Sequence, residues 1–236
     1  DEKTFLNIGC GDHKLPGFVN IDLDPAADVQ ADVTLGLPYA DRTVHGIFSE
    51  HFIEHISQAQ GVAFFRECRR VLVNGGRVRV ATPDLDYLVD VFATDWRRNM
   101  SEWSKYGYEW IANRAEQLNL AMREWGHRWL YNEEEMIRLA TLAGLEPLER
   151  CSLGESSEPK LRCVDYRDGS TLVYEFVKAR PAERTDDPLV SILITAYNPR
   201  YFRDALESAL NQSYRNIEIV IGDDRASGEI ESIVSR

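Results

Sequence analysis

Over the first hundred residues, short apolar runs alternate with amphipathic stretches, the pattern of βαβ units that feed a parallel sheet. The runs predict strands over 4–8, 18–22, 29–31, 44–48 and 77–82. Between the last two, Phe64, Phe65, Cys68, Val71 and Leu72 recur at helical spacing, with Arg66, Glu67, Arg69 and Arg70 turned outward. Asn74-Gly75-Gly76 is expected to end that helix, because these residues tolerate positive φ. Apolar strands of this kind are buried on both faces and read as the centre of a doubly wound sheet.

From residue 84 to 131 the periodicity breaks. Tyr87, Trp96, Trp103, Tyr106, Tyr108, Trp110, Trp125, Trp129 and Tyr131 crowd this segment, which holds every tryptophan of the chain. Helical spacing is fair over 111–122 and poor before it. A helical insertion with its own small core fits this pattern, and so does a substrate cover, because aromatic rings serve both as core and as stacking surface. Asn132 then caps a helix, with Glu135 at the reciprocal capping-box position and Glu133 and Glu134 favoured in the first turn. That acidic triplet reads as structural. The helix closes near Gly144, and strands follow at 147–152 and 171–178. Residues 179–188, ARPAERTDDP, are polar and carry two prolines, so they read as a linker. A new βαβ pattern begins at 189, with a strand to 195, a helix over 201–211 and a strand over 217–221. Two parallel strands cannot bury both faces of such a sheet, so residues 189–236 read as the opening of a second domain that is cut off.

Composition narrows the class. The 236 residues carry 27 Lys+Arg against 39 Asp+Glu, a formal charge of −12, which argues against a nucleic-acid backbone as the main partner. A hydrophobic fraction of 44% places the chain among globular proteins. No run approaches the ~20 apolar residues of a membrane helix. The start at Asp1 has no signal-peptide succession, and the chain is expected to begin inside a longer gene product or after processing. Cys10, Cys68, Cys151 and Cys163 are scattered without metal spacing, as in a reduced cytoplasmic protein.

The chemistry starts at Phe5-Leu6-Asn7-Ile8-Gly9-Cys10-Gly11, an apolar strand running into a Gly-x-Gly turn. Glycines there let the backbone turn sharply and approach a ligand closely. A dinucleotide fingerprint would need a third glycine where Lys14 stands, which counts against NAD. Asp22 lies eleven residues beyond Gly11, placed to accept from two ribose hydroxyls, and Asp32 closes the next strand at the rim.

LNIGCG, NIDLD, ADVTLGLPYAD, FSEHFIEHI, FFRECRRVLVNGG and RVRVATPD, in this order, resemble class I S-adenosylmethionine-dependent methyltransferases. The nearest group is the small bacterial one, type 11, associated with polysaccharide genes. The similarity spans residues 4–178 and implies a Rossmann-like α/β sheet with a helical insertion, in a domain over 1–178. By position, Gly9, Cys10 and Gly11 would pass under the methionine part of the cofactor, Asp22 would bind ribose, and Asp32 and Val33 would face adenine. Ser49, Glu50 and His51 would line the sulfonium end. Asn7 replaces an acidic residue that many members carry there, weakening one contact to the cofactor ammonium. Methyl transfer asks the protein chiefly for orientation, and a hydroxyl acceptor gains ~10²–10⁴-fold from a general base. His127, in the aromatic WGHRW run, is the first candidate, Asp84 the second, and His51 is assigned to the cofactor. His51-Phe52-Ile53-Glu54-His55 also matches H-x-x-E-H, a zinc-hydrolase pattern. The resemblance explains Glu54-His55 without metal, so none is expected.

VSILITAYN followed by ALESALNQSYRNIEIVIGDD is similar to the start of a family 2 glycosyltransferase of the GT-A fold. The resemblance would set Ala196, Tyr197 and Asn198 against a nucleotide base, with Asp223 or Asp224 on uracil or ribose. The metal-binding Asp-x-Asp and acceptor base of that family are absent here, so this chain is expected to transfer no sugar. The fusion points to a saccharide acceptor in cell-surface glycan synthesis, and to the remainder of a glycosyltransferase as partner.

Overall fold

The computed structural model describes residues 3–180, 188–196, 199–214, 216–223 and 229–234. The chain divides into two compact units, 1–180 and 181–236.

In the first unit, strands β1 (Phe5–Ile8), β2 (Val19–Asp22), β3 (Val29–Gln30) and β4 (Val44–Glu50) precede helix α1 (Gln58–Val71) and strand β5 (Leu72–Thr82). Helices α2 (Leu85–Ala93), α3 (Met100–Trp103), α4 (Arg114–Arg123) and α5 (Glu133–Leu142) follow, then β6 (Glu146–Arg150) and β7 (Leu172–Val177). The seven strands order as β3-β2-β1-β4-β5-β7-β6. All pairings are parallel except those of β7, which runs antiparallel to both β5 and β6. This is a Rossmann-like α/β sheet of the class I methyltransferase type. The strand order reverses at β1, where ligands of open α/β sheets bind outside the carboxyl ends of the strands.

Alternation along the strands separates two cores. Leu6, Ile8, Ile47, Val78, Val80, Leu172 and Phe176 face α1 and α5 in one cluster with Phe64, Phe65, Met136 and Leu139. Phe5, Phe48, Ala81 and Val173 point the other way and pack on Leu161 and Val164. Where a doubly wound reading places helices over this second face, segment 151–165 supplies a cover whose one helical piece is the 3₁₀ turn Pro159–Leu161.

Local chemistry explains the boundaries, with two departures from expectation. Ser57 begins α1 with a capping box in which Gln60 answers. The helix stops at Val71, before Asn74-Gly75-Gly76, because Leu72 already adopts extended backbone (φ −64°, ψ 139°). Those residues form the start of β5 instead, tied through Gly75 N–H to Lys178 O at 2.7 Å. Asn132 caps α5 as expected, accepting from Glu135 N–H at 3.0 Å. The Glu135 carboxylate does not reach back, however. It accepts from Gln58 Nε2 and from Arg138, which outcompete the capping box.

In the second unit, β8 (Val190–Ala196) pairs parallel with β9 (Ile217–Asp223), and α6 (Pro199–Leu210) and α7 (Glu229–Val234) accompany them. Ala196, Phe202 and Ile230 form its small core, while Leu193 and Val220 stay exposed. One face of a two-stranded sheet is therefore covered and the other is not.

Candidate active site

The first unit contains a cavity of about 940 Å³ at the carboxyl ends of the strands. This lies near the upper end of the ~300–1,000 Å³ usual for ligand sites. One end is the turn after β1. Gly9 and Cys10 N–H both donate to Ile21 O, and Gly11 N–H donates to Asp22 Oδ2 at 2.9 Å. Gly9 (φ 69°) is required by packing, since a Cβ would stand 2.8 Å from that of Phe52. Gly11 (φ 48°) differs: a Cβ there would meet nothing within 4 Å, so its backbone faces open space. Asp22 joins the two glycines in the cavity wall.

The cavity is also lined by the aromatic residues Tyr87, Trp103, Tyr106 and Trp125, together with His51, His55 and His127. Trp125 stands at φ 60° and Gly126 at φ 81°, two successive left-handed residues that swing His127 toward the cavity. A left-handed bulky residue costs on the order of 1–2 kcal/mol and tends to mark a functional site. His127 Nδ1 lies 2.8 Å from Ala121 O, so that nitrogen carries the proton and Nε2 keeps a free lone pair. The His127 and His55 rings meet edge to face, with centroids 5.0 Å apart.

His51 (φ 50°) starts a tight turn into the 3₁₀ segment Ile53–His55, and its Nδ1 stands 3.2 Å from Glu54 Oε1. Burial pushes the Glu54 carboxyl up, but the contacts with His51 outweigh it and leave the group below its ordinary value. Burial draws His55 down, which keeps that imidazole neutral.

The third wall was not foreseen from sequence. Tyr166, Arg167, Asp168, Gly169 and Thr171, from the loop before β7, close the cavity. Tyr166 stacks on His13 with ring centroids 3.8 Å apart. Glu50, only 7% exposed, holds this loop: its Oε1 accepts from Tyr166 N–H, Arg167 N–H and Ser170 Oγ. Behind it, Arg79 donates to both oxygens of Asp165. A charged residue inside an apolar strand was the available signal for this second network.

Of the expected cofactor residues, Gly9, Gly11, Asp22 and His51 line the cavity. Asn7 is buried and donates to His13 O and Asn20 Oδ1, so it shapes the glycine turn from behind. Cys10 is buried, its thiol pushed up by burial. Ser49 is wholly buried, and Glu50 anchors the loop. Asp32 does not line the cavity. It sits exposed, with Oδ1 accepting from Thr34 N–H and Oγ1 in a short turn. Val33 lies in the core. Asp84 is corrected as a candidate base. It caps α2 through Asp86 N–H and pairs with Arg150 at 2.8 Å, outside the cavity lining. In the second unit Ala196 is buried and Asp223 ends β9. Tyr197, Asn198 and Asp224 lie outside the described residues.

The methyltransferase domain family matches residues 6–80, which run from β1 into β5 and include the glycine turn, Asp22 and the His51–His55 segment. The first unit carries a methyltransferase domain. S-adenosylmethionine is the cofactor that the resemblance implies for such a domain. The residues present fit that group: the backbone at Gly11 opens on free space, and the Asp22 carboxylate stands beside it. Among solved structures, the fold is similar to the PH0226 protein from Pyrococcus horikoshii (16% identity, 77% of this chain and 83% of that one, TM-score 0.47). It is also similar to a geranyl diphosphate methyltransferase in complex with S-adenosylmethionine (16% identity, 75% and 78%, TM-score 0.41). Short stretches match proteins named as uncharacterized glycosyltransferases. One from Rickettsia typhi is 46% identical over 52 residues, or 22% of this chain, and one from Rickettsia prowazekii is 51% identical over 47, or 20%. The matched stretches cover 16% and 15% of those two proteins. Among the described residues, no helix is long and apolar enough to cross a membrane.

Proposed function

We propose that the methyltransferase domain methylates a hydroxyl of a saccharide during bacterial cell-surface glycan synthesis, in the cytoplasm. The observation that carries this reading is one cavity lined both by a glycine–aspartate cradle and by aromatic side chains with imidazoles. Gly9, Gly11 and Asp22 would hold the cofactor, with Asp22 accepting from ribose hydroxyls. S-adenosylmethionine supplies a methyl carbon whose bond to sulfur breaks as the acceptor oxygen bonds to it, leaving S-adenosylhomocysteine. Trp103, Tyr106 and Trp125 offer flat faces that suit the apolar side of a sugar ring. His127 activates the acceptor through the Nε2 lone pair that its Ala121 contact leaves free. The glycosyltransferase likeness adds an associational argument for a glycan acceptor, with the remainder of that enzyme as partner in a longer protein. The second unit lacks the catalytic motifs of such an enzyme and acts as no sugar transferase on its own.

Labelled S-adenosylmethionine incubated with lipid-linked and free saccharides, followed by mass spectrometry, tests the reading. Methylated saccharide is expected, and its loss in His127→Ala with cofactor affinity unchanged. Turnover only on non-sugar acceptors would replace the saccharide. Cofactor binding without turnover on any acceptor would make the unit a binding scaffold.

A further inference from the structure

The turn Ile53–His55 and the left-handed pair Trp125-Gly126 bring Glu54, His55 and His127 together, with one donor atom of each within 4.8 Å of the others. We propose that these three side chains bind a divalent transition-metal ion with an open coordination position on the cavity. The inference rests on the function proposed above for the acceptor and refines it: the bound ion, rather than a free lone pair of His127, then activates the hydroxyl.

Two members of the trio have their second polar atom already engaged: Glu54 Oε2 accepts from Thr82 Oγ1 at 2.9 Å, and His127 Nδ1 is fixed on Ala121 O. Outer contacts of this kind orient metal ligands and leave the inner atom free. The inner atom of Glu54 is the telling one. Its side chain is completely buried, yet Oε1 lacks a hydrogen bond of good geometry, with His51 Nδ1 standing 3.2 Å away. A buried carboxylate oxygen in that state is costly unless a cation completes it.

The backbone holds the trio in register. Arg128 and Trp129 N–H both donate to Glu54 O, at 2.7 and 3.2 Å, which pins the His127 loop to the His55 turn. Four-coordinate donors at ~2.0–2.2 Å from an ion stand roughly 3.3–3.6 Å apart, so the trio needs to close by little more than about 1 Å at its widest. Two imidazoles and one carboxylate suit zinc and neighbouring transition ions, whereas calcium and magnesium prefer oxygen alone. A three-ligand set leaves a position for water or substrate. His55 and His127 line the cavity, so that position opens on the acceptor. A hydroxyl bound there would lose its proton to solvent near neutral pH, as metal-bound water does.

The test uses the whole chain, purified without chelator, then stripped and titrated with Zn²⁺ and Co²⁺. One equivalent of metal is expected by elemental analysis, with visible Co²⁺ ligand-field bands of four- or five-coordinate geometry. His55→Ala and His127→Ala should each weaken Zn²⁺ binding at least tenfold, and Asp22→Ala should leave it unchanged, with thermal melts in chelator confirming that each variant folds. Calorimetric titration of the stripped protein with S-adenosylmethionine should show cofactor binding independent of metal. Metal binding without methyl transfer supports the site and removes the proposed reaction. No binding at micromolar metal, or binding that neither histidine variant weakens, overturns the site and leaves Glu54 as a plain partner of His51.

Discussion

Arg79 offers a sharp test of what holds the cavity wall in place. Its side chain is completely buried, as are those of Asp165 and Glu175. All five guanidinium donors are used: Nε and Nη2 fork onto Asp165 at 2.7 and 2.6 Å, Nη1 reaches Glu175 at 2.9 Å and Glu155 O at 2.8 Å, and Nη2 also reaches Ser152 O. Arg79→Ala would leave two buried carboxylates, one with only the Gly154 N–H and the other with only Arg77 as remaining partner. Removing one partner of a buried pair costs ~3–5 kcal/mol. At roughly 2–4 °C per kcal/mol for a unit of this size, the melting temperature should fall by about 6–20 °C. Scanning calorimetry and urea titration measure the loss. The triple change Arg79→Met, Asp165→Leu, Glu175→Met removes the charges together and should recover part of it. Asp165 adjoins Tyr166 in the cavity wall, so cofactor affinity should fall in Arg79→Ala even below its melting range. A loss under about 1 kcal/mol, or a triple variant no more stable than the single one, would refute this account of the buried network.

Three further outcomes are expected. Asp22→Ala should weaken S-adenosylmethionine binding by on the order of 1–3 kcal/mol in calorimetric titration, through lost charge-assisted bonds to ribose; unchanged affinity would misplace the ribose. Gly11→Ala should cost about 1–2 kcal/mol in stability through its positive φ, and should reduce cofactor affinity more than that, because the added methyl enters open cavity space. Arg70 holds the Glu67 carboxyl, and Arg138 the Glu135 carboxyl, below the ordinary value of 4.5. The stability they contribute is therefore complete above about 4.5 and is lost as pH falls through their lowered folded values. Glu67→Gln should flatten that acid limb in pH-dependent melts; an unaltered limb would show that the Arg70 fork contributes nothing there.

The sheet was legible because β1 and β4 are largely buried and carry apolar runs with few alternatives. The glycine turn was legible for a similar reason, since Gly9 and Gly11 both occupy positive φ that other residues resist. Asp84 misled, since a polar residue after a strand looks the same whether it serves a ligand or caps a helix, and Arg150, its ion partner, is 66 residues away. The start of β5 was missed because Asn74-Gly75-Gly76 has helix-stop chemistry, while the pairing of Val44 with Leu72 that makes it a strand is long-range. Residues 153–170 have no apolar period at all. Their place is set by Arg79, Glu175 and Glu50, charges whose meaning emerges only once distant strands stand side by side. The histidines at 55 and 127 share this difficulty, because their meeting depends on a strained turn at Trp125.

The attachment of the 166–170 loop to Glu50 has a consequence for the order in which this domain comes into being. Glu50 precedes its partners by 116 to 120 residues, and all three bonds converge on one oxygen. A growing chain that has emerged only as far as residue 165 already carries the glycine turn, Asp22 and all three cavity histidines. It still lacks the wall, and β7, the strand that brings the wall to the sheet, is the last element of the unit to be made. Competence to enclose a ligand therefore arrives only with the last strand of this unit, when one carboxylate receives its three donors.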